Sequence, residues 1–238
     1  MNPATAAAQA GPRIGGLTPF TSIDYPGRLS AVVYVQGCPW RCVYCHNQHL
    51  QARAAPAGPA WPQVRAWLAR RRGLLDAVVF SGGEPTLDAA LPRALDEVRA
   101  VGFAAGLHSA GMYPRRLRAV LPHADWVGLD VKAPLDDEAL HERITGVSGA
   151  ASSVRQSLCA LIDSGVSHEL RTTAHPDLLD DAALLRLAGG LAQQGVRNYA
   201  LQLARPVEGS GRWAHDYPKP ATLARMQGLF AGFTLRAG

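Results

Sequence analysis

Lysine is nearly missing from this chain. Only Lys132 and Lys219 carry an ammonium, and every other one of its 24 basic residues is arginine. Aromatic residues make up only 7%, and no apolar run approaches the roughly 18 residues needed to cross a bilayer. A membrane-spanning helix is thereby excluded. Four cysteines, three of them crowded together, are not the even, spread-out set of a disulfide framework. Residues 1–12 are rich in Ala, Gln and Pro, without the basic start and greasy centre of a signal peptide. They are expected to be a disordered tail, and unpaired thiols suit the reducing cytoplasm. The formal charge is +5 and the pI about 9.3. No basic run is interleaved with aromatics, so nucleic acid is not an expected partner, whereas a mild positive balance suits an acidic protein surface. At 238 residues and 47% hydrophobic, residues 13–238 are expected to form a single domain.

What the chain does have is concentrated in Cys38-Pro-Trp-Arg-Cys42-Val-Tyr-Cys45-His-Asn47. Three thiols fall in eight residues, spaced C-x3-C-x2-C. The preceding Ser30–Gln36 is apolar, β-branched and aromatic and reads as a strand. Gly37 and Pro39 break it, so the thiols sit on a loop leaving its C-terminal end. Three thiolates this close can hold a compact metal centre. A [4Fe-4S] cluster needs four ligands, so three would leave one iron open to a substrate. Structural zinc is the competing reading, but it takes a second Cys or His pair that the chain does not present. The spacing favours the open cluster.

The rest repeats strand then helix, which argues for a parallel sheet. Strands are expected at Ser30–Gln36, Asp76–Ser81, Phe103–His108, Asp125–Val131, His168–Thr173 and Asn198–Ala204. Helices are expected at Trp61–Arg72, Leu87–Ala100, Pro114–Leu121, Asp136–Arg143, Ala151–Ser164, Asp180–Gln194 and Pro220–Phe230. Six units are fewer than the eight of a closed barrel. The expected fold is α/β, an open partial (β/α)6 barrel. Residues 205–219 read as a long Gly/Pro-rich loop suited to docking a partner.

Chemistry in parallel barrels gathers at the C-terminal ends of strands. After the second predicted strand comes Ser81-Gly82-Gly83-Glu84-Pro85. Paired glycines let backbone approach a ligand, although an ordinary turn with a capping Glu would look the same. The fourth ends in Asp130-Val131-Lys132. Alternation puts Asp130 and Lys132 on one side, and a chain that otherwise uses arginine has placed a compact ammonium there. A surface salt bridge is the alternative. The third strand leads into His108 and Ser109, and the fifth carries Arg171, which could equally be a solvated charge. A lone His at a strand end is commonly structural. Cys159 reads as helix core packing, and His175-Pro176 as a turn.

Together these pieces resemble the radical S-adenosylmethionine enzymes. The thiol loop with an aromatic before its last Cys, followed by Ser-Gly-Gly-Glu-Pro, carries the resemblance. More narrowly, Gly16–Gly27, Gln36–Cys42 and Trp126–Lys132 resemble the activating enzymes of glycyl radical proteins. Among these the anaerobic ribonucleoside-triphosphate reductase activating proteins are the most similar. The resemblance covers about residues 13 to 205.

It implies an oxidoreductase with one [4Fe-4S] cluster on Cys38, Cys42 and Cys45, and S-adenosylmethionine as cosubstrate. The open iron would chelate the methionine moiety. Gly83, with Gly82 and neighbouring backbone of Glu84, would take the amino group, and Tyr44 and Asn47 would lie near the adenosyl part. Asp130, Lys132 and Arg171 would contact carboxylate and ribose, and Ser109 matches a hydroxyl position that helps bind the cosubstrate. An electron from flavodoxin or ferredoxin would cleave the cosubstrate to a 5′-deoxyadenosyl radical, which takes a hydrogen from a glycine of the partner enzyme. Two departures stand out. His108 replaces an Asp that helps bind a monovalent cation in pyruvate formate-lyase activases, and Arg205 lies near the place of a late family His. No further cysteine cluster exists for auxiliary centres. Activation of a pyruvate formate-lyase, a radical enzyme acting on a small molecule such as a deazapurine synthase, and a non-catalytic metal module stay open as alternatives.

Overall fold

The computed structural model describes residues 11–53, 58–204 and 217–236. It contains one sheet of eight strands in sequential order. Strand β1 (Ile14–Thr21) runs antiparallel to β2 (Ser30–Val35). From β2 onward the pairing is parallel, through β3 (Ala77–Gly82), β4 (Ala104–Ser109), β5 (Trp126–Asp130), β6 (Ser167–Ala174), β7 (Asn198–Leu203) and β8 (Gly232–Arg236). The helices are α1 (Trp61–Ala69), α2 (Leu91–Val101), α3 (Pro114–Val120), α4 (Glu138–Thr145), α5 (Ala150–Ser164), α6 (Asp181–Gln193) and α7 (Pro220–Gln227). Strands β2 to β7 are each followed by a helix, which gives the six β/α units expected from sequence. No helix among the described residues is long and apolar enough to cross a membrane.

Sequential order has a geometric consequence. Each parallel step moves to the next strand in the same direction, so right-handed crossovers put all the helices on one face. The burial pattern follows. Val33, Val35, Val78, Phe80, Leu107, Leu129 and Leu170 share the main core with Val64, Leu68, Leu95, Leu158 and Leu187 of the helices. Alternate residues point the other way, where Val32, Ala77, Val79, Trp126 and Tyr25 form a separate small cluster. Its Tyr25 and Trp126 rings lie 4.9 Å apart and fill that face near the N-terminal ends of the strands. Above this plug, toward the C-terminal ends, the face is polar. The sheet is open: β1 and β8 are its two ends in the strand order.

Both end strands went unpredicted. Gly15, Gly16 and Pro19 spoil a strand reading of β1, but an edge strand tolerates proline because one row of its N–H groups needs no partner. Strand β8 is five residues long and follows the closing helix without a strong β-branched signal. The helix ends follow local chemistry. Helix α4 starts where the Asp137 carboxylate accepts the Leu140 N–H at 3.0 Å and stops at Gly146, whose φ of 72° ends the turn. Helix α6 is capped likewise by Asp180. The expected tail falls mostly outside the described residues, as do Arg205 and most of the 205–219 loop.

Candidate active site

The thiol loop leaves β2 through Gly37, at φ +107°. Its backbone is tied down on two sides. Gly37 and Cys38 donate to the carbonyls of Leu50 and Gln51, at 2.7 and 3.1 Å. Arg41 and Val43 donate to Thr145 and Ile144 at the end of α4, at 2.8 and 3.0 Å. The Arg41 side chain folds back onto the carbonyls of Cys38 and Trp40, and Trp40 is buried in the main core. A loop without regular structure is thus held by hydrogen bonds to its neighbours.

Those restraints aim the thiols at a cavity of about 200 Å³ at the C-terminal ends of the strands. Cys38, Cys42, Cys45, Tyr44, Asn47, Gly82, Gly83, Ser109, Asp130, Lys132 and Arg171 all line it, with His108, Thr173 and Met112. Every candidate from the sequence is there except Glu84. A larger cleft of about 930 Å³ opens at the other end of the strands, around Arg28, Arg99, Asp125 and Trp126, and contains no cysteine. The candidate residues lie in the smaller one.

Glu84 sits under the site. It is fully buried, and its carboxylate accepts from the Thr86 N–H and hydroxyl, the Ser109 hydroxyl and the Ala110 N–H, at 2.6 to 3.1 Å. Burial pushes its pKa up and these donors pull it back, leaving it above the ordinary carboxylate value. It fastens the end of β3 to the end of β4. The two glycines before it are sterically required. A Cβ on Gly83 would lie 2.3 Å from the Gly37 carbonyl oxygen, and one on Gly82, at φ +114°, 2.6 Å from that of Val35.

Asp130 accepts from Arg171 Nε and Nη2 at 3.0 and 2.8 Å, and Lys132 Nζ stands 3.5 Å from its other oxygen. Lys132 and Arg171 are only 8% and 7% exposed, so these are not the surface charges the sequence left open. Burial alone would raise the Asp130 pKa, but the two cations hold it below the usual range. Burial alone would lower that of Lys132, whereas Tyr44, Cys42 and Asp130 raise it. Lys132 also lies 5.8 Å from the centre of the Tyr44 ring.

Burial pushes the Cys38 thiol up to about 11 and raises Cys42 as well, so metal loading must displace protons. Among the described residues no three His, Cys, Asp or Glu side chains converge as one bound ion requires. Cys38, Cys42 and Cys45 line one shared cavity.

His108 lines the cavity and is anchored from the neighbouring backbone. Its Nε2–H donates to the Asp24 carbonyl at 2.8 Å, its ring meets Trp126 edge-on at 5.6 Å, and burial keeps it neutral. His175 does more than turn the chain: its ring stacks on Tyr44, centroids 6.1 Å apart. Cys159 corrects the sequence reading, because it is exposed on α5 rather than packed in the core. Thr173 was missed, although it alternates with Arg171 on β6 and must share its face.

Residues 32–188 match the model of the Radical SAM superfamily. A Methanocaldococcus jannaschii protein described as a glycyl-radical enzyme activating enzyme is 25% identical over 228 residues, 87% of this chain and 86% of its own length. The pyruvate formate-lyase-activating enzyme of Clostridium pasteurianum is 29% identical over 194 residues, 78% of each chain. Among solved structures, Streptococcus suis SuiB bound to S-adenosylmethionine superimposes with a TM-score of 0.64 at 14% identity. That match covers 87% of this chain, which spans about half (49%) of SuiB. A domain of a pyruvate-formate lyase-activating enzyme from Bacteroides vulgatus gives 0.54 at 15% identity, over 68% of this chain and 99% of that one. At these identities the structural matches speak for the fold.

Proposed function

This chain belongs to the radical SAM superfamily, and on that footing we propose that it installs a glycyl radical on a separate enzyme, an anaerobic ribonucleotide reductase. One observation carries the reading: three thiols and the Asp130–Lys132–Arg171 cluster face a single cavity. The family's cofactors, one [4Fe-4S] cluster and S-adenosylmethionine, fit that donor set. Cys38, Cys42 and Cys45 would hold the cluster, leaving one iron for the cosubstrate. Bound there, the two would supply a 5′-deoxyadenosyl radical on one-electron reduction.

The chain's own residues bind and orient. Lys132 and Arg171 outnumber the one carboxylate between them, which leaves positive charge for the carboxylate of a methionine moiety. Asp130, a third exposed on its side chain, offers acceptors to ribose hydroxyls. The Gly83 backbone can approach an amino group closely because no side chain intervenes. Ser109 is aimed by its bond to Glu84 at 2.9 Å. Among the residues lining the cavity, His108, Ser109, Lys132 and Arg171 are buried.

Two relatives named as activating enzymes of glycyl radical proteins support the general activity. Gly16–Gly27, Gln36–Cys42 and Trp126–Lys132 resemble activating enzymes of glycyl radical proteins, and the likeness of the chain to reductase activating proteins among these motivates the specific partner. A pyruvate formate-lyase is the alternative, favoured by the Clostridium relative. The electron donor would be a reduced flavodoxin or ferredoxin. In the test, reconstituted protein is reduced without oxygen in the presence of S-adenosylmethionine. Methionine and 5′-deoxyadenosine should appear in equal amounts, and a protein that holds iron yet never cleaves the cosubstrate contradicts the reading.

A further inference from the structure

Lys132 projects from a segment that the sheet no longer holds. Strand β5 ends at Asp130, and its last rung is the Val131 N–H donating to the Arg171 carbonyl at 2.8 Å. Beyond it, Lys132 is followed by Ala133 and Pro134, and proline offers no N–H. A long flexible side chain on an unsupported segment would not present its ammonium in one place.

Two side chains outside the cavity supply the missing support. The Thr172 hydroxyl donates to the Val131 carbonyl at 2.7 Å. His141 Nε2–H donates to the Ala133 carbonyl at 3.0 Å. Both are buried, at 1% and 0% exposure, and neither lines the cavity. The carbonyl on each side of Lys132 is thus held by a dedicated donor. Because a carbonyl accepts, the His141 ring must carry its proton on Nε2, and its buried Nδ1 has no partner among the described residues.

His141 also belongs to α4, whose last carbonyls, Ile144 and Thr145, receive the Val43 and Arg41 N–H groups of the thiol loop. One helix therefore grips the Lys132 segment from its middle and the thiol loop at its C-terminal end. The Thr145 hydroxyl, donating to the His141 carbonyl at 2.8 Å, ties the two grips together.

We propose that Thr172 and His141 are positioning residues, which hold the backbone on either side of Lys132 and so aim its ammonium at the cosubstrate. The proposal rests on the functional reading above. Its test measures S-adenosylmethionine affinity of the reconstituted full chain, through the change that binding makes in the spectrum of the reduced cluster. Thr172→Val and His141→Leu should each weaken binding by about 5- to 20-fold, with iron per chain unchanged. Thr172→Ser and His141→Gln keep the donor and should recover to within about twofold. Adding Lys132→Ala to either weakened variant should cost less than it does in the wild type, because the donors act through that lysine. Unchanged affinity in Thr172→Val and His141→Leu would overturn the proposal. So would losses that simply add to that of Lys132→Ala, or that track lost iron. If wild-type protein fails to bind S-adenosylmethionine, the functional reading falls; if it binds and the variants match it, only this inference falls.

Discussion

Arg171 places both Nε and Nη2 on a single oxygen of Asp130, at 3.0 and 2.8 Å. The geometry leaves the second oxygen facing Lys132. One carboxylate between two buried cations is a fixed arrangement of charge, with an excess of one positive unit beside the thiols. Such an arrangement costs desolvation when empty and is repaid when an anionic group enters.

Replacing Lys132 with Ala should therefore leave the cluster intact and weaken S-adenosylmethionine binding by about 1–3 kcal/mol, the range for a charged hydrogen bond. Equilibrium binding to reconstituted protein decides it. Equal affinity in variant and wild type would reduce the lysine to a structural ion pair.

Asp130 gives a pH prediction. Its pKa is depressed in the folded protein by Arg171 and Lys132, against the upward push of burial. A depressed carboxylate contributes stability that is complete above its unfolded pKa, about 4, and is lost as pH falls through the lower folded value. The stability gap between wild type and Asp130→Asn should be widest near pH 7 and narrow below pH 4. Denaturant titrations at both pH values check this, and a gap independent of pH would contradict it.

Gly83 touches no metal, yet Gly83→Ala should abolish cluster assembly. Its new Cβ would sit 2.3 Å from the Gly37 carbonyl oxygen, in backbone that leads directly into Cys38. Iron analysis after reconstitution should return little iron for this variant. A normal iron content would mean the two loops can separate without harm.

Alanine at Cys38, Cys42 or Cys45 should likewise lose the iron, about four atoms per chain in the parent. Cys159→Ala should keep it. Since Cys159 is exposed on α5, a maleimide should label that thiol alone in loaded protein, and all four once the cluster is removed and the chain is unfolded. Labelling of a second cysteine in loaded protein would place one of the three outside the cluster.

Much of this site was legible because its elements are short-range. The C-x3-C-x2-C spacing, the Gly-Gly after an apolar strand and the alternation of Asp130 with Lys132 each lie within a few residues. What stayed hidden depends on long-range contact. That Glu84 turns inward to Ser109 and Ala110 follows from pairing of β3 with β4, 25 residues apart in sequence. His141 and Thr172 look like ordinary helix and strand residues until the Lys132 backbone is laid between them. Cys159 was a countable miss: Val154, Leu158 and Leu161 mark the buried face of α5, and residue 159 falls off that helical stripe. Strand β1 was lost to its glycines and proline, which are hard to read as sheet unless the strand is known to be an edge.

If this chain activates a partner, a hydrogen atom leaves one glycine of that partner and an unpaired electron remains there. Reduced, cluster-loaded protein should be mixed with S-adenosylmethionine and an anaerobic ribonucleotide reductase without oxygen, and the electron paramagnetic resonance spectrum recorded. A doublet should appear on the reductase, split by one α-hydrogen, growing in step with released 5′-deoxyadenosine. Cosubstrate cleavage with no such doublet, on the reductase or on a pyruvate formate-lyase offered in its place, would contradict such activation.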